Sequence, residues 1–345
     1  MTDILIYKEG RAGRITLNRP AALNALTYQM CLDIEAALEA WRDDDEVALV
    51  VIDGAGDKAF CAGGDIQELY TTGRAQDFEY GRKFWADEYR MNAKLAAFPK
   101  PTVAFMHGFV MGGGVGVSGH CAHRIVCETS QVAMPEVGIG LVPDVGGTWL
   151  LAQAPGRTGD YLATTAARMT GPDAIFAGFA DHYVPREYWL DLIATLEISG
   201  DTDRIKATAQ TPPPSDLAAQ QAEIDALFAL APTEVIAACD TKGTDFATST
   251  LKALRRASPL AVHCTLANIA RAKQAGTLTA ALGFEYEFTY RAMEHGDFLE
   301  GIRAAIIDKD RTPAWKHANL ADVTQNDIAQ MLAPLGENAL NLEGL

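Results

Sequence analysis

Apolar and polar positions alternate along the first two hundred residues in blocks that change period, from short strand-like runs to helix-like spacing. Arg14 to Leu17 reads as a strand that enters a turn at Asn18-Arg19-Pro20. From Tyr28 to Trp41 the apolar residues Met30, Ile34, Ala37, Leu38 and Trp41 recur at helical spacing, which predicts one buried face. Val47 to Ile52 is a continuous apolar run closed by Asp53-Gly54-Ala55-Gly56-Asp57, the pattern of a buried strand and a turn. Thr102 to Met106 and Arg124 to Cys127 repeat it, with a glycine-led helix expected between them. Strands alternating with helices predict an α/β domain with covered sheets. Thr211-Pro212-Pro213-Pro214-Ser215 then interrupts the pattern as an extended hinge. Beyond it the periodicity is helical over Asp216–Leu230, Ala247–Arg256, Pro259–Lys273 and Thr279–Glu294, and Thr324 with Asp327 resembles a capping box. The expected division is therefore an α/β core over 1–210 and a helical region over 211–345. No tandem sequence repeat is evident.

Composition narrows the function. With 345 residues, 48% of them hydrophobic, the chain can bury a sizeable core. A net charge of −16 argues against nucleic acid and against anionic membrane surfaces as partners, although a local basic patch can still hold a phosphate-bearing ligand. The six cysteines form no C-x-x-C pair, so reduced, buried thiols are expected. His120-x-x-His123 beside Cys121 lacks further ligands at suitable spacing, and no metal is expected. The first residues lack a basic stretch followed by an apolar one, and no run approaches the ~20 apolar residues of a membrane span. A cytoplasmic location is the expectation.

The candidate chemistry lies in two glycine-rich stretches and the acids that follow. Met111-Gly112-Gly113-Gly114-Val115-Gly116 offers bare amides that can approach an oxyanion. Gly114-x-Gly116-x-x-Gly119 also fits a dinucleotide fingerprint, but His107 to Met111 stand between the preceding strand and the glycine run, which a Rossmann turn does not allow. Ala62-Gly63-Gly64 is a second small-residue loop, and two amides from separate loops are the usual composition of an oxyanion hole. Downstream stand Glu136, after Pro135, and Asp144, after Pro143. Two neighbouring carboxylates can divide nucleophilic or base work from proton donation. Asp144 fits equally well as the N-cap of a helix beginning near Gly146.

Leu17-Asn18-Arg19-Pro20, Asn24-Ala25-Leu26, Ala59-Phe60-Cys61-Ala62-Gly63-Gly64-Asp65 and the triple glycine together resemble the crotonase (enoyl-CoA hydratase/isomerase) superfamily. Glu88-Tyr89, Ala133-Met134-Pro135-Glu136, Ile139 to Gly147, Gly296 to Ala304 and Ile307 to Asp310 resemble its 3-hydroxyisobutyryl-CoA hydrolase branch, so the likeness spans nearly the whole chain. The resemblance implies a spiral of β-β-α turns with helices that cover the site or mediate assembly into a homo-oligomer. It implies an acyl-CoA substrate, with coenzyme A part of the substrate and no separate cofactor. It implies that Gly64 and Gly113 donate N–H groups to the thioester oxygen, that Glu136 and Asp144 are the catalytic carboxylates, and that Glu88 and Ala62 line the acyl pocket. Asn24, Ala25, Leu26 and Lys58 would lie along the nucleotide end of CoA. Hydratases of the superfamily carry a second glutamate where this chain has Gly116. That departure agrees with the hydrolase branch, whose resemblance implies hydrolysis of a short β-hydroxyacyl-CoA thioester, 3-hydroxyisobutyryl-CoA of valine breakdown. A hydratase or isomerase, and a non-catalytic binding protein, are the alternatives.

Overall fold

Residues 2–342 are described by a computed structural model. Ten strands form two sheets: β1 Ile4–Glu9, β2 Ala12–Leu17, β3 Leu49–Gly54, β4 Ala59–Cys61, β5 Thr102–Met106, β6 Phe109–Met111, β7 His123–Val126, β8 Gln131–Ala133, β9 Met169–Thr170 and β10 His182–Tyr183. The larger sheet runs β1-β2-β3-β5-β7-β10 and the smaller β4-β6-β8-β9. Only the β1–β2 and β8–β9 pairs are antiparallel. Each successive strand pair, β3 with β4, β5 with β6 and β7 with β8, gives one strand to each sheet. This is the structural repeat that the sequence hides, because the segments joining the pairs differ in length and composition.

The larger sheet is covered on both faces, which is why its central strands are apolar without interruption. Val50 and Ile52 of β3, with Ala104 and Met106 of β5, point into the main core. Their neighbours Leu49, Val51, Val103 and Phe105 point the other way, onto Trp189, Leu192 and Leu196 of the helix Trp189–Ser199. That helix was not foreseen. The Val47–Ile52 strand begins two residues later than its apolar run suggests and continues through Asp53 and Gly54. Gly54 is needed there: a Cβ would stand 2.6 Å from the carbonyl oxygen of Phe60, where β3 and β4 approach.

The helix Tyr28–Arg42 buries the residues its periodicity selects. Against it lies the helix Phe78–Ala96, fastened by Arg90, which donates to both oxygens of Glu35 at 2.8 and 3.1 Å. Beyond the prolines the predicted Asp216–Leu230 helix is broken at Gln220 into Asp216–Ala219 and Gln221–Phe228. The two long helices appear as Pro259–Ala275 and Leu278–His295, and Thr324 and Asp327 form the expected capping box. The main core contains residues from both sides of the proline stretch: Phe288 and Ala292 share it with Trp85 and Tyr89. No helix among the described residues is long and apolar enough to cross a membrane.

Candidate active site

Backbone geometry prepares two amides. After β6 the chain turns at Gly112, with φ +47° and ψ −116°, into a single helical turn, Gly113–Gly116. The glycine-led helix is therefore four residues long, too short to add a large macrodipole, and the amides themselves carry the chemistry. After β4, Gly63 takes φ +117° and presents Gly64. The Gly64 loop is clasped by the Asn24–Leu26 segment: Leu26 N donates to Gly63 O at 2.9 Å, and Asp65 N to Leu26 O at 2.8 Å. Neither the Gly64 N–H nor the Gly113 N–H donates to any group of the described protein. They converge, since a Cβ built on Gly113 would stand 3.3 Å from Gly64 N and 3.2 Å from Glu88 Oε1. Two unused donors thus lie beside one small space with a carboxyl next to them, and a pair of donors placed in this way can stabilise a developing oxyanion.

Three acids surround that space. Glu88 comes from the middle of the helix Phe78–Ala96, Glu136 from the turn after β8, and Asp144 from the loop after Pro143. All three are buried, at 3%, 5% and 5% exposure. Glu136 lies against the Gly112 turn: a Cβ on Gly112 would meet its Oε1 at 2.7 Å, and the φ of +47° already favours glycine there. Its Oε2 has no hydrogen-bond partner. Asp144 accepts from the Tyr89 hydroxyl at 2.8 Å. Burial raises the proton affinity of each acid, and the charge of Asp144 raises Glu88 and Glu136 further. Asp144 is pushed up to about 7, burial being opposed by the Tyr89 bond. The set therefore favours a single shared charge near neutrality, centred on Asp144.

Asp144 is not a helix cap. The helix Gly147–Gln153 has Gly146 at its N-cap, and the capping carboxylate comes from Glu285 on the helix Leu278–His295. Glu285 accepts from Gly146 N at 2.8 Å, from Thr148 N at 2.9 Å and from the Thr148 hydroxyl. Sequence reasoning missed Glu285 because its partners lie about 140 positions away. Its only local signal is an acid on an otherwise apolar helical face. His120, considered above as a metal ligand, instead steadies the same loop. Burial lowers its pKa to about 4, so the neutral ring can donate to Val145 O, 2.7 Å from Nε2. His123 faces His182 at 3.4 Å, away from His120's partner.

In the segment read as lying along the nucleotide end, two side chains are turned inward. The Asn24 and Leu26 side chains are fully buried. Asn24 sits in the left-handed region at φ +56°, and its amide nitrogen donates to Ala55 O and Ala59 O at 2.9 and 2.8 Å. Both side chains are taken up within the protein, Asn24 by backbone groups and Leu26 by the core, which leaves the backbone of this segment to meet a ligand. Ala25 and Ala62 are half-buried and Lys58 is exposed. At Gly116 a Cβ would meet Val145 Cβ at 2.8 Å and Asn92 Nδ2 at 2.9 Å. The place of a hydratase's second glutamate is filled.

The C-terminal block earns its resemblance by packing on this site. Gly301 lies so close to Ile139 O, in the turn that carries Glu136, that a Cβ would be 2.1 Å away. Asp297 accepts from Ser258 Oγ at 2.6 Å and Lys316 N at 2.9 Å, and Arg303 ties Glu300 to Asp308 and Asp310.

Strand pairs shared between two sheets, delivering two free amides to a set of buried acids, define a crotonase-fold protein of the acyl-CoA type. The profile of the enoyl-CoA hydratase/isomerase family matches residues 12–332, and the chain belongs to that family. It is 38% identical to a mitochondrial 3-hydroxyisobutyryl-CoA hydrolase of Gallus gallus, covering 99% of this chain and 91% of that protein. It is 37% identical to the protein of that name from Homo sapiens, covering 98% and 90%. Among solved structures it resembles an enoyl-CoA hydratase from Rhodobacter sphaeroides 2.4.1, with TM-score 0.95 and 55% identity over 99% of this chain and 100% of that one. It also resembles a carnitinyl-CoA dehydratase from Mycobacterium thermoresistibile, with TM-score 0.95 and 41% identity over the full length of both.

Proposed function

We propose that this protein hydrolyses a short 3-hydroxyacyl-CoA thioester, 3-hydroxyisobutyryl-CoA of valine breakdown, to the free hydroxy acid and CoA. The observation that carries this reading is the pairing of two unused amide donors with Glu136, while Gly116 leaves no second glutamate to add water across a double bond. The thioester oxygen sits between the N–H groups of Gly64 and Gly113, which stabilise the negative charge that develops on it. The Glu136 carboxylate attacks the carbonyl carbon, or takes a proton from the water that does so. In the covalent route a C–O bond to Glu136 forms, the C–S bond breaks, and the thiolate leaves with the proton that Asp144 in its acid form supplies. Water then cleaves the mixed anhydride, releasing the hydroxy acid and restoring Glu136. Only water is consumed.

Glu136 must be ionised for the first step, so its proton passes to Asp144, where the single charge of the set otherwise rests, and Asp144 then holds the proton that the thiolate takes. Glu88, beside Gly113, faces the acyl chain, and CoA extends outward past Ala62 and Ala25 toward Lys58. The hydratase reading draws on the names of the two solved relatives. Against it stands the filled space at Gly116. The test is thiol release from 3-hydroxyisobutyryl-CoA and isobutyryl-CoA, set beside loss of the conjugated thioester of crotonyl-CoA. Fast thiol release from the hydroxylated substrate is expected, with crotonyl-CoA left intact. Consumption of crotonyl-CoA without thiol release would overturn the reading.

A further inference from the structure

Asn92 stands one turn beyond Glu88 on the helix Phe78–Ala96, so the two side chains share a face. Gly113 and Gly116, three apart on the facing single-turn helix, likewise share one. The two faces meet: the space beside Gly113 holds the Glu88 carboxyl, and the space beside Gly116 holds the Asn92 amide. Asn92 is fully buried, yet its Oδ1 has no partner and its Nδ2 reaches only the weak acceptor Met91 Sδ at 3.9 Å. Leaving a buried polar group unpaired is destabilising, and asparagine is a poor helix former, so packing and helix stability both favour another residue here. Glu136 Oε2 is the other partnerless oxygen beside this helical turn. Both are left with hydrogen-bonding capacity beside the two free amides.

We propose that Asn92 is a specificity-determining residue that recognises the hydroxyl of the acyl group, an inference that rests on the hydrolase reading above. A carboxamide both accepts and donates, and so does a hydroxyl; one group can satisfy the two ends of the other. The amide stands where the second glutamate of a hydratase would begin, so a neutral hydrogen-bonding group replaces an acid at the inner end of the site. The single charge of the site stays with the acids, and Asn92 reads the substituent. A saturated acyl chain leaves the amide unpaired and gains nothing from it.

The test compares kcat/KM for 3-hydroxyisobutyryl-CoA and isobutyryl-CoA in the wild type, Asn92→Leu and Asn92→Ala. Leucine has nearly the same shape without polar atoms. The ratio of the two constants should fall by about 10- to 100-fold in Asn92→Leu, through loss on the hydroxylated substrate alone, since a site built for a hydroxyl discriminates strongly. Its melting temperature should hold or rise. Asn92→Ala decides the matter if the leucine variant does not fold. A folded variant whose ratio stays within about twofold of the wild type, with both substrates slowed together, overturns the proposal; so does the failure of both variants to fold, which makes Asn92 a packing residue. A wild type that releases thiol from neither thioester overturns the hydrolase reading itself, a result distinct from an unchanged ratio.

Discussion

Glu285 and Glu136 are both withdrawn from solvent, and their surroundings give them opposite tasks. Around Glu285 two backbone N–H groups and a hydroxyl converge on the carboxylate, so every oxygen has a donor. Around Glu136 one oxygen has none, and the nearest neighbours are glycine backbone and other acids. The first arrangement fixes structure: it caps the helix Gly147–Gln153 and so holds the turn that delivers Asp144. The second leaves an oxygen without a donor, which is what the proposed reaction would use, because an unpartnered buried acid keeps its lone pairs for a substrate. A buried acid is thus assigned a role by the donors around it, and burial alone does not decide.

The comparison breaks most visibly at the unpartnered acid. Glu136→Gln should lower kcat by about a thousandfold or more, on the scale of losing an essential nucleophile or base. The same change should raise the melting temperature, since it removes a carboxyl whose ionised form is disfavoured. Loss of activity together with loss of stability in a thermal melt would place Glu136 with the structural acids. Asp144→Asn should cost about a hundredfold in kcat while leaving the helix intact, because Glu285 does the capping. Near wild-type turnover would make Asp144 a bystander.

Glu285→Gln should show the reverse order of effects. Replacing one carboxylate oxygen by an NH₂ group turns an acceptor into a donor aimed at a backbone N–H. The expected loss is about 1–3 kcal/mol of stability, measured by denaturant unfolding, with kcat falling less than in Glu136→Gln. A variant as stable as the wild type would remove the distinction between the two regions.

The smallest effect concerns pH. Asp144 and Glu285 have folded-state values near 7 and 8, against ordinary values of 3.8 and 4.5. The folded state therefore holds protons that the unfolded chain has released between about pH 4 and 8. Stability from these groups is full below pH 4 and declines as pH rises through that window. A melting temperature that drops by a few degrees from pH 5 to pH 8, less steeply in Asp144→Asn, is expected. Activity should instead rise through about pH 7 as the acids gain their single charge. A flat melting profile with a flat rate profile would contradict both.

Much of this was legible in the chain. Residues whose task depends on backbone shape announced themselves: Gly112, Gly113 and Gly64 by the absence of a Cβ, Pro135 and Pro143 by fixing the approach to Glu136 and Asp144. Central strands such as Thr102–Met106 were legible because burial on both faces leaves an unbroken apolar run. Local capping, at Thr27, Ser258 and Thr324, was within reach for the same reason: donor and acceptor lie three residues apart. Tertiary structure alone decided which acid caps and which one is left without a donor. Asp144 stands three residues before its helix and has the spacing of a cap, yet the donors there are met by Glu285, folded back from the far side of the proline stretch. It alone decided that Asn24, although polar and in a loop, is consumed by the carbonyls of Ala55 and Ala59. It also placed Asn92 in the space that Gly116 vacates. Sequence spacing determines what the backbone can do over a few residues, whereas the partner of a buried polar group is set by whichever distant element packing brings within hydrogen-bond reach.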